Sequence, residues 1–408
     1  MSTAARAYVH GLVEENLGLP KGVIGSEDLP ADLVDLITSA VTGKTSREAD
    51  SPLVEQKLNE FLLEVKRYSL ERDGFFAWKA RWPEARPFAA CLTHDVDNIE
   101  HSRRHILSTR RRFTAGDLIL GLLGLRSLYR NIGLVAGEEG RRGFRSSFFL
   151  LTSNYSLGDL VPSITPLKED GWEIGLHGDF GTHDSLEKMS EAVEKFQTAT
   201  GSSPAGVREH YLRFDFEKTW QIMESVGFAY DTSVGARDSL GFPLGFSTPF
   251  HPPTHDWSSM KILEIPLVLM DTTLWSYLKL EEQEGMAEVE RMIERVREVG
   301  GLFTLLWHQE AIRMRGGRLY PKILEKLAKM DCFVSSGIDV ASWWESRSVP
   351  LVREGHEYRF LGTPPPGLRL HLEYSQGRRP RVEGGDLVAT QRGNLVKVNS
   401  GEFSLRVE

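Results

Sequence analysis

From residue 144 onward the chain alternates short apolar runs with helical stretches, and this alternation restricts its fold more than any other feature. Strands are predicted at 144–152, 172–177, 206–211, 261–269, 301–308 and 332–335. Helical periodicity covers 216–226, 282–299 and 320–330, and Asp184-Ser185-Leu186-Glu187 opens a further helix with an acidic cap and a glutamate at its third position. Strands alternating with helices predict a parallel sheet covered by helices. An earlier apolar strand runs from Pro87 to Leu92. Six or seven such units over roughly 260 residues suit a closed barrel better than an open sheet, and in barrels the reactive groups gather at the C-terminal strand ends. The expected class is therefore α/β, a distorted (β/α) barrel of about seven strands spanning residues 86–347.

The flanks read differently. Residues 1–85 form a small helical or α/β leader domain, in which Ser51-Pro52 marks a helix start and Val54, Leu58, Phe61, Leu62 and Val65 follow at helical spacing. Beyond Pro364-Pro365-Pro366, residues such as Leu368, Leu370 and Leu372 recur at period two, so residues 348–408 are expected to be a small all-β appendage. A net charge of −8 argues against nucleic acid as a partner. Cys91 and Cys332 are too few for a disulfide framework, and Cys91 lies in an apolar strand as a buried thiol would. The start, Met1 to Tyr8, lacks the basic segment and apolar core of a secretory signal. No run approaches the ~20 apolar residues that cross a bilayer, so a cytoplasmic protein is expected.

Read at their strand ends, these elements carry chemistry. Leu92-Thr93-His94-Asp95-Val96-Asp97 ends the first strand with two carboxylates that, two residues apart, face one side. Such a pair either shares a proton or holds a cation. Later strand ends supply His177, then Arg208 and His210 (again two apart), Asp231 and His308. One carboxylate and two imidazoles make a common ligand set for catalytic Zn²⁺ or a similar divalent ion. The remaining Asp, Arg and His are the types needed for a base, its orienting partner and an acid.

These motifs resemble, in order, those of the NodB-like polysaccharide deacetylases of carbohydrate esterase family 4, over roughly residues 88–345. Thr93-His94-Asp95-Val96-Asp97 resembles the first motif, Thr-Phe-Asp-Asp, and Gly175-Leu176-His177 the start of the second, His-Ser-x-x-His. Arg208-Glu209-His210-Tyr211 stands in the place of Arg-x-Pro-Tyr, Tyr230-Asp231-Thr232-Ser233 resembles the fourth motif in its aspartate, and Leu306-Trp307-His308 matches Leu-x-His. The chain departs from the pattern in three places. Val96 separates the aspartates, Gly181 stands where the second histidine of the second motif belongs, and Gly235 replaces the tryptophan of the fourth. With the aspartates apart, Asp97 is the expected ligand. The missing histidine leaves His183 or His210 as the third, and His210 is preferred because it lies at a strand end beside Arg208. The chain is most similar to a divergent His-Asp-x-Asp subgroup with a leader domain.

The resemblance implies a metal-dependent hydrolase that removes an N-acetyl group from an amino sugar. Asp97, His177 and His210 would hold Zn²⁺ or another divalent ion, Asp95 would act as base with Arg208 beside it, and His308 would act as acid with Asp231 favouring its charged form. Tyr211 and Trp307 would offer flat surfaces to a sugar ring. The substrate class would be an N-acetylated glycan or an activated or lipid-linked sugar. Two other readings stay open, a barrel that kept its shape as a glycan-binding scaffold and an amide hydrolase for a small metabolite. Between Asp97 and residue 144 runs an arginine-rich excursion with an apolar stretch from Leu118 to Leu125. It reads either as a peripheral membrane contact, or a grip on a lipid-linked substrate, or as a solvated basic face on a packed helix.

Overall fold

A computed structural model describes residues 2–44, 50–100, 102–390, 393–399 and 403–408. Three helices, α1 (Thr3–Leu17), α2 (Ala31–Val41) and α3 (Leu53–Asp73), lead into β1 (Phe75–Lys79). The barrel region then runs β2 (Ala89–Val96), α4 (Arg103–Ser108), α5 (Ala115–Leu122), α6 (Ile132–Gly140), β3 (Ser147–Leu151), α7 (Val161–Glu169), β4 (Glu173–Gly178), α8 (Leu186–Thr200), β5 (Gly206–Glu209), α9 (Thr219–Val226) and β6 (Tyr230–Asp231). It continues through β7 (Leu263–Glu264), β8 (Leu269–Met270), α10 (Glu282–Val299), β9 (Leu302–Leu306), α11 (Leu319–Ala328), β10 (Phe333–Ser335) and α12 (Gly337–Arg347). Seven further strands follow: β11 (Leu351–Glu354), β12 (Glu357–Phe360), β13 (Arg369–Tyr374), β14 (Pro380–Glu383), β15 (Gly385–Thr390), β16 (Gly393–Val398) and β17 (Ser404–Val407).

The large sheet is parallel throughout, in the order β7-β6-β5-β4-β3-β2-β9-β8, with β10 also paired to β2. Residues 261–269, expected as one strand, are two. Pro266 has no N–H to give to a ladder. Before it, Ile265 N–H donates to Asp231 O on the β6 side; after it, Val268 N–H donates to Thr304 O on the β9 side. One broken stretch thus belongs to both ends of the sheet, which curls it into the expected distorted barrel of about seven staves.

Side-chain parity sorts the strands. Ala89, Cys91, Phe149, Tyr230, Leu263 and Leu302 share one cluster inside the barrel, whereas Ala90, Leu92, Phe148, Leu150, Val207 and Phe303 pack outward among the helices. The amphipathic α10 buries Val289, Met292, Ile293 and Val296 on that outer layer and stops at Gly300, whose φ of 67° suits a residue without Cβ. On α8 the cap is Ser185, which accepts from Lys188 N–H at 3.3 Å, one residue after the expected Asp184. Trp82, Trp343 and Trp344 join the inner cluster together with α12.

The leader docks through a buried carboxylate. Glu55 of α3 accepts from the backbone N–H groups of Ser247 and Thr248, each at 3.0 Å. At the other end of the chain, two four-stranded antiparallel sheets, β1-β13-β16-β15 and β11-β12-β17-β14, enclose Phe75, Leu351, Tyr358, Leu370, Val396 and Leu405. The all-β appendage is therefore a sandwich. One of its strands, β1, comes from within the expected leader region and pairs Ala77 with Leu372.

Candidate active site

Asp95 points into the barrel because it continues the Ala89, Cys91, Thr93 face of β2. Arg208, fully buried on β5, approaches it with Nε 3.7 Å from Asp95 Oδ1. The guanidinium is fixed from behind. Its Nη2 donates to Thr93 Oγ1 at 2.8 Å and Thr232 Oγ1 at 3.2 Å, and it lies over the Phe149 ring at 5.2 Å. Asp95 Oδ1, Arg208 Nε and Arg208 Nη1 have no hydrogen-bond partner among the described residues, although all are buried. Such groups are normally satisfied, so unspent donors and acceptors here mark a working site.

Asp97 follows the last residue of β2 and meets three imidazoles. His177 Nε2 lies 3.2 Å and His210 Nε2 3.8 Å from Asp97 Oδ1, and His308 Nε2 lies 3.7 Å from Asp97 Oδ2. His177 Nε2 is also 3.6 Å from Asp95 Oδ2. Ligand atoms of Asp97, His177 and His210 lie within 4.8 Å of one another. Register explains why. His177 of β4 stands opposite Arg208 of β5, and His210 lies two residues further along the same face.

The donor set fits a divalent cation. His177 Nδ1–H donates to Arg208 O at 2.8 Å, which leaves the Nε2 lone pair directed at the Asp97 carboxylate. Among the described residues no hydrogen bond reaches Asp97 Oδ1. Two electron-pair donors facing each other at that distance need a positive charge between them. The same demand appears in the acidities. Burial pushes the Asp97 carboxyl up, but the close approach of His177 and the charges of His308 and His210 outweigh it and hold the group well below the usual carboxylate range. Burial pushes His177 down, and the charges of Asp95 and Asp97 more than reverse it. His210 goes the other way, lowered by burial and by His177, so it remains a neutral donor.

Gly181, at the place of the absent histidine, has φ +86°, and a Cβ there would come within 2.6 Å of Lys188 Nζ. A side chain is disfavoured at that turn. His183 lies outside the cluster: its Nε2 is 3.8 Å from Asp184, and its carbonyl accepts from Thr219 Oγ1.

His308 is held by a residue that the strand-end reading passed over. Asp271 Oδ1 accepts from His308 Nδ1–H at 2.7 Å and from Thr272 N–H at 2.6 Å, and Asp271 Oδ2 accepts from His308 N–H at 3.0 Å. Burial pulls His308 down, but Asp271 and then Asp97 carry it well above the usual histidine range. Asp231, expected in this role, stands elsewhere. Its neighbour Tyr230 fills the barrel interior, so Asp231 turns outward beside Glu264, whose other oxygen accepts from Trp220 Nε1–H at 2.9 Å. Burial raises the pKa of both acids, so each holds its proton more tightly than an exposed carboxyl does.

Trp307 is likewise turned away from the cavity. It is fully buried in the outer layer, edge-on to Trp275 at 6.2 Å and tilted on Tyr320 at 5.5 Å. Tyr211 is 57% exposed at the mouth, with φ +60°, stacked on the His210 ring at 4.1 Å. The cavity over the cluster has about 220 Å³ and is lined by Asp95, His177, Tyr211, Met270, Tyr277 and His308. Tyr211, Leu212 and Arg237 also line a neighbouring cavity of about 570 Å³.

His94, the other polar residue of the first motif, works outside the barrel. Its Nδ1 donates to Trp307 O at 2.6 Å and its Nε2 to Glu139 Oε1 at 2.7 Å, and Glu139 also accepts from Trp172 Nε1–H and Ser146 Oγ–H. This network ties β2 to the backbone just before His308.

No family model matches the sequence, and no curated protein matches it. Among solved structures, the chain is similar to a Mycobacterium smegmatis protein described as a polysaccharide deacetylase, with a TM-score of 0.49 and 16% identity over 65% of this chain and 93% of that one. It is similar to Puue allantoinase with a TM-score of 0.48 and 17% identity, over 65% and 93% of the two chains. A Pseudomonas aeruginosa protein described as a polysaccharide deacetylase gives 0.47 and 17% identity, over 65% and 94%. These likenesses concern the fold alone, and no helix among the described residues is long and apolar enough to cross a membrane.

Proposed function

We propose that this chain is a metal-dependent hydrolase that removes the N-acetyl group of an amino sugar in a glycan or glycan precursor. One observation carries the reading: the Asp97, His177 and His210 cluster is flanked by a separate base pair, Asp95 with Arg208, and a separate acid pair, His308 with Asp271. A structural metal site has no need of either flank.

Asp97, His177 and His210 would hold a divalent ion, which when bound supplies Lewis-acid polarisation of an acyl oxygen and a more acidic water. Asp95 takes the proton of the attacking water, and Arg208, beside it, orients that side chain. His308, made a good proton carrier by Asp271, protonates the departing amine. Tyr211 closes one side of the mouth and offers a face to a sugar ring, while the larger cavity beyond it accepts the rest of a chain. The buried placement of Trp307 removes it from this surface.

Metal content and acetate release measured together test the reading. The purified protein is expected to contain about one divalent ion and to release acetate from N-acetylated hexosamine oligomers. Asp95→Asn is expected to keep the metal and lose about 10²–10⁴-fold in kcat. Metal binding with no acetate release from any such substrate would favour the scaffold reading, and release of ammonia or ring opening of a cyclic amide would favour the metabolite hydrolase.

A further inference from the structure

Residues 102–130 leave the barrel just after Asp97 and pack against the segment that follows His308. Phe113 bridges Met314, Gln309 Oε1 accepts from Asn131 N–H at 2.6 Å, and Arg313 lies 3.8 Å from Asp117. The stretch therefore flanks the candidate active site. It carries seven arginines against one aspartate, Asp117, in a chain of net charge −8.

Helix α5 is apolar around its whole circumference apart from Asp117. Helices of that kind belong in a core or in a membrane. One side of α5 does have a core, since Leu118 and Leu122 pack on Ile106, Phe113, Leu128 and Tyr129. The other side has water: Ile119, Leu123 and Leu125 are 58%, 64% and 73% exposed. In the same segment Arg103, Arg104, Arg111 and Arg112 are exposed and take part in no salt bridge among the described residues. By contrast, Arg126 is spent on Asp117 at 2.5 Å and Arg130 on Glu100 at 3.1 Å.

We propose that this face docks on an anionic lipid bilayer, with Ile119, Leu123 and Leu125 entering the interface and the four free arginines meeting lipid headgroups. Exposed aliphatic side chains and unpaired arginines on one short excursion are what an interfacial segment needs. The other occupants fit less well. A second copy docked on the same patch would set its arginines against an identical set, since a two-fold interface brings each residue onto its own surroundings. Nucleic acid would use the arginines but gain nothing from the three aliphatic side chains, because single strands are held by aromatic platforms. The inference does not rest on the deacetylase reading; it rests on the surface alone.

Vesicle co-sedimentation of the full chain tests it, with phosphatidylcholine vesicles prepared with and without phosphatidylglycerol. Wild type is expected to bind the anionic vesicles and not the neutral ones, and to lose binding as salt is raised. Replacing Arg103, Arg104, Arg111 and Arg112 by Gln is expected to weaken binding about a hundredfold or more, at roughly fivefold per arginine. Ile119→Ser with Leu123→Ser and Leu125→Ser is expected to weaken it at least about tenfold. These side chains project into water, so both variants should keep the wild-type circular dichroism and melting temperature. Absent vesicle binding, equal binding to neutral vesicles, or variants that bind like wild type would each overturn the proposal. So would a concentration-dependent dimer that the serine variant dissolves, which would make a second copy the occupant.

Discussion

Asp271→Asn separates the acid pair from everything else in the site. The carboxylate accepts three hydrogen bonds, from His308 Nδ1–H, His308 N–H and Thr272 N–H. An asparagine has one accepting oxygen. If that oxygen keeps the Nδ1–H and Thr272 bonds, its NH₂ faces the His308 backbone N–H, and the donor–donor conflict costs about 1–3 kcal/mol of stability. The larger effect is on chemistry, because the imidazolium of His308 loses the buried charge that stabilises it. General acid catalysis typically contributes about 10²–10⁴-fold, so kcat is expected to fall by that factor, about 3–5 kcal/mol in the barrier. Metal content should not change, because Asp271 is not among the three clustered ligands. The assay is acetate release from an N-acetylated hexosamine oligomer, well below the melting temperature, with metal analysis of the same preparation. Asp231→Asn is the matched control, since Asp231 faces outward beside Glu264, and its kcat is expected to stay within about threefold of wild type. Equal losses in the two variants, or an Asp271→Asn enzyme as fast as wild type, would refute the assignment.

Two further outcomes test other parts of the structure. Gly181→His, placed in a His210→Ala background, restores the histidine of the second motif but is expected not to restore metal binding. The turn at φ +86° costs a side chain about 1–2 kcal/mol and meets Lys188, and metal recovery by this double variant would contradict the geometry. Lys79 tests the junction between sandwich and barrel: its Nζ donates to Arg347 O at 2.8 Å and Val349 O at 3.0 Å, and burial, then Arg347, lower its pKa from 10.5 to about 7. Above that value the unfolded chain holds the proton that the folded one has released, so stability should rise with pH, by roughly 3 kcal/mol between about pH 6 and pH 9. Urea titrations of wild type and Lys79→Met at both pH values should differ by that slope, and parallel curves would show that the amine keeps its ordinary affinity for the proton.

Period-two reasoning reaches only as far as strand boundaries are known. It placed Asp95 inside the barrel and put Arg208 and His210 on one face because β2 and β5 run unbroken up to the residues concerned. It does not reach Asp231, because Phe149 and Cys91 leave room for the Tyr230 ring inside the barrel and the aspartate turns outward. Nor does it reach Asp271, because the strand predicted over 261–269 ends at Leu269. The signal was present: Leu269-Met270-Asp271 repeats the apolar-apolar-acid pattern of Ala229-Tyr230-Asp231, and Pro266 announced the break. Trp307 fell to the same parity, since it lies between Leu306 and His308, both of which line the cavity. The sandwich was legible in its alternation, but the recruitment of β1 across roughly 290 residues was not, because pairing between distant strands leaves no local pattern.

The separation of the two aspartates by Val96 has a structural counterpart on β5. Each strand contributes two functional residues, two positions apart, and the two strands place them at matching levels. At the deeper level Asp95 meets Arg208, and at the mouth Asp97 meets His210. His177 joins the levels, with one nitrogen within 3.6 Å of Asp95 and 3.2 Å of Asp97. Charge is balanced level by level: the arginine compensates the deep carboxylate permanently, while the outer one depends on imidazoles that are neutral when they act as ligands. Only the outer level therefore needs an added cation. Moving the third ligand from the turn at Gly181 to the residue just past β5 follows the same logic, because a histidine two residues beyond Arg208 arrives at the mouth without asking the left-handed position 181 to carry a side chain.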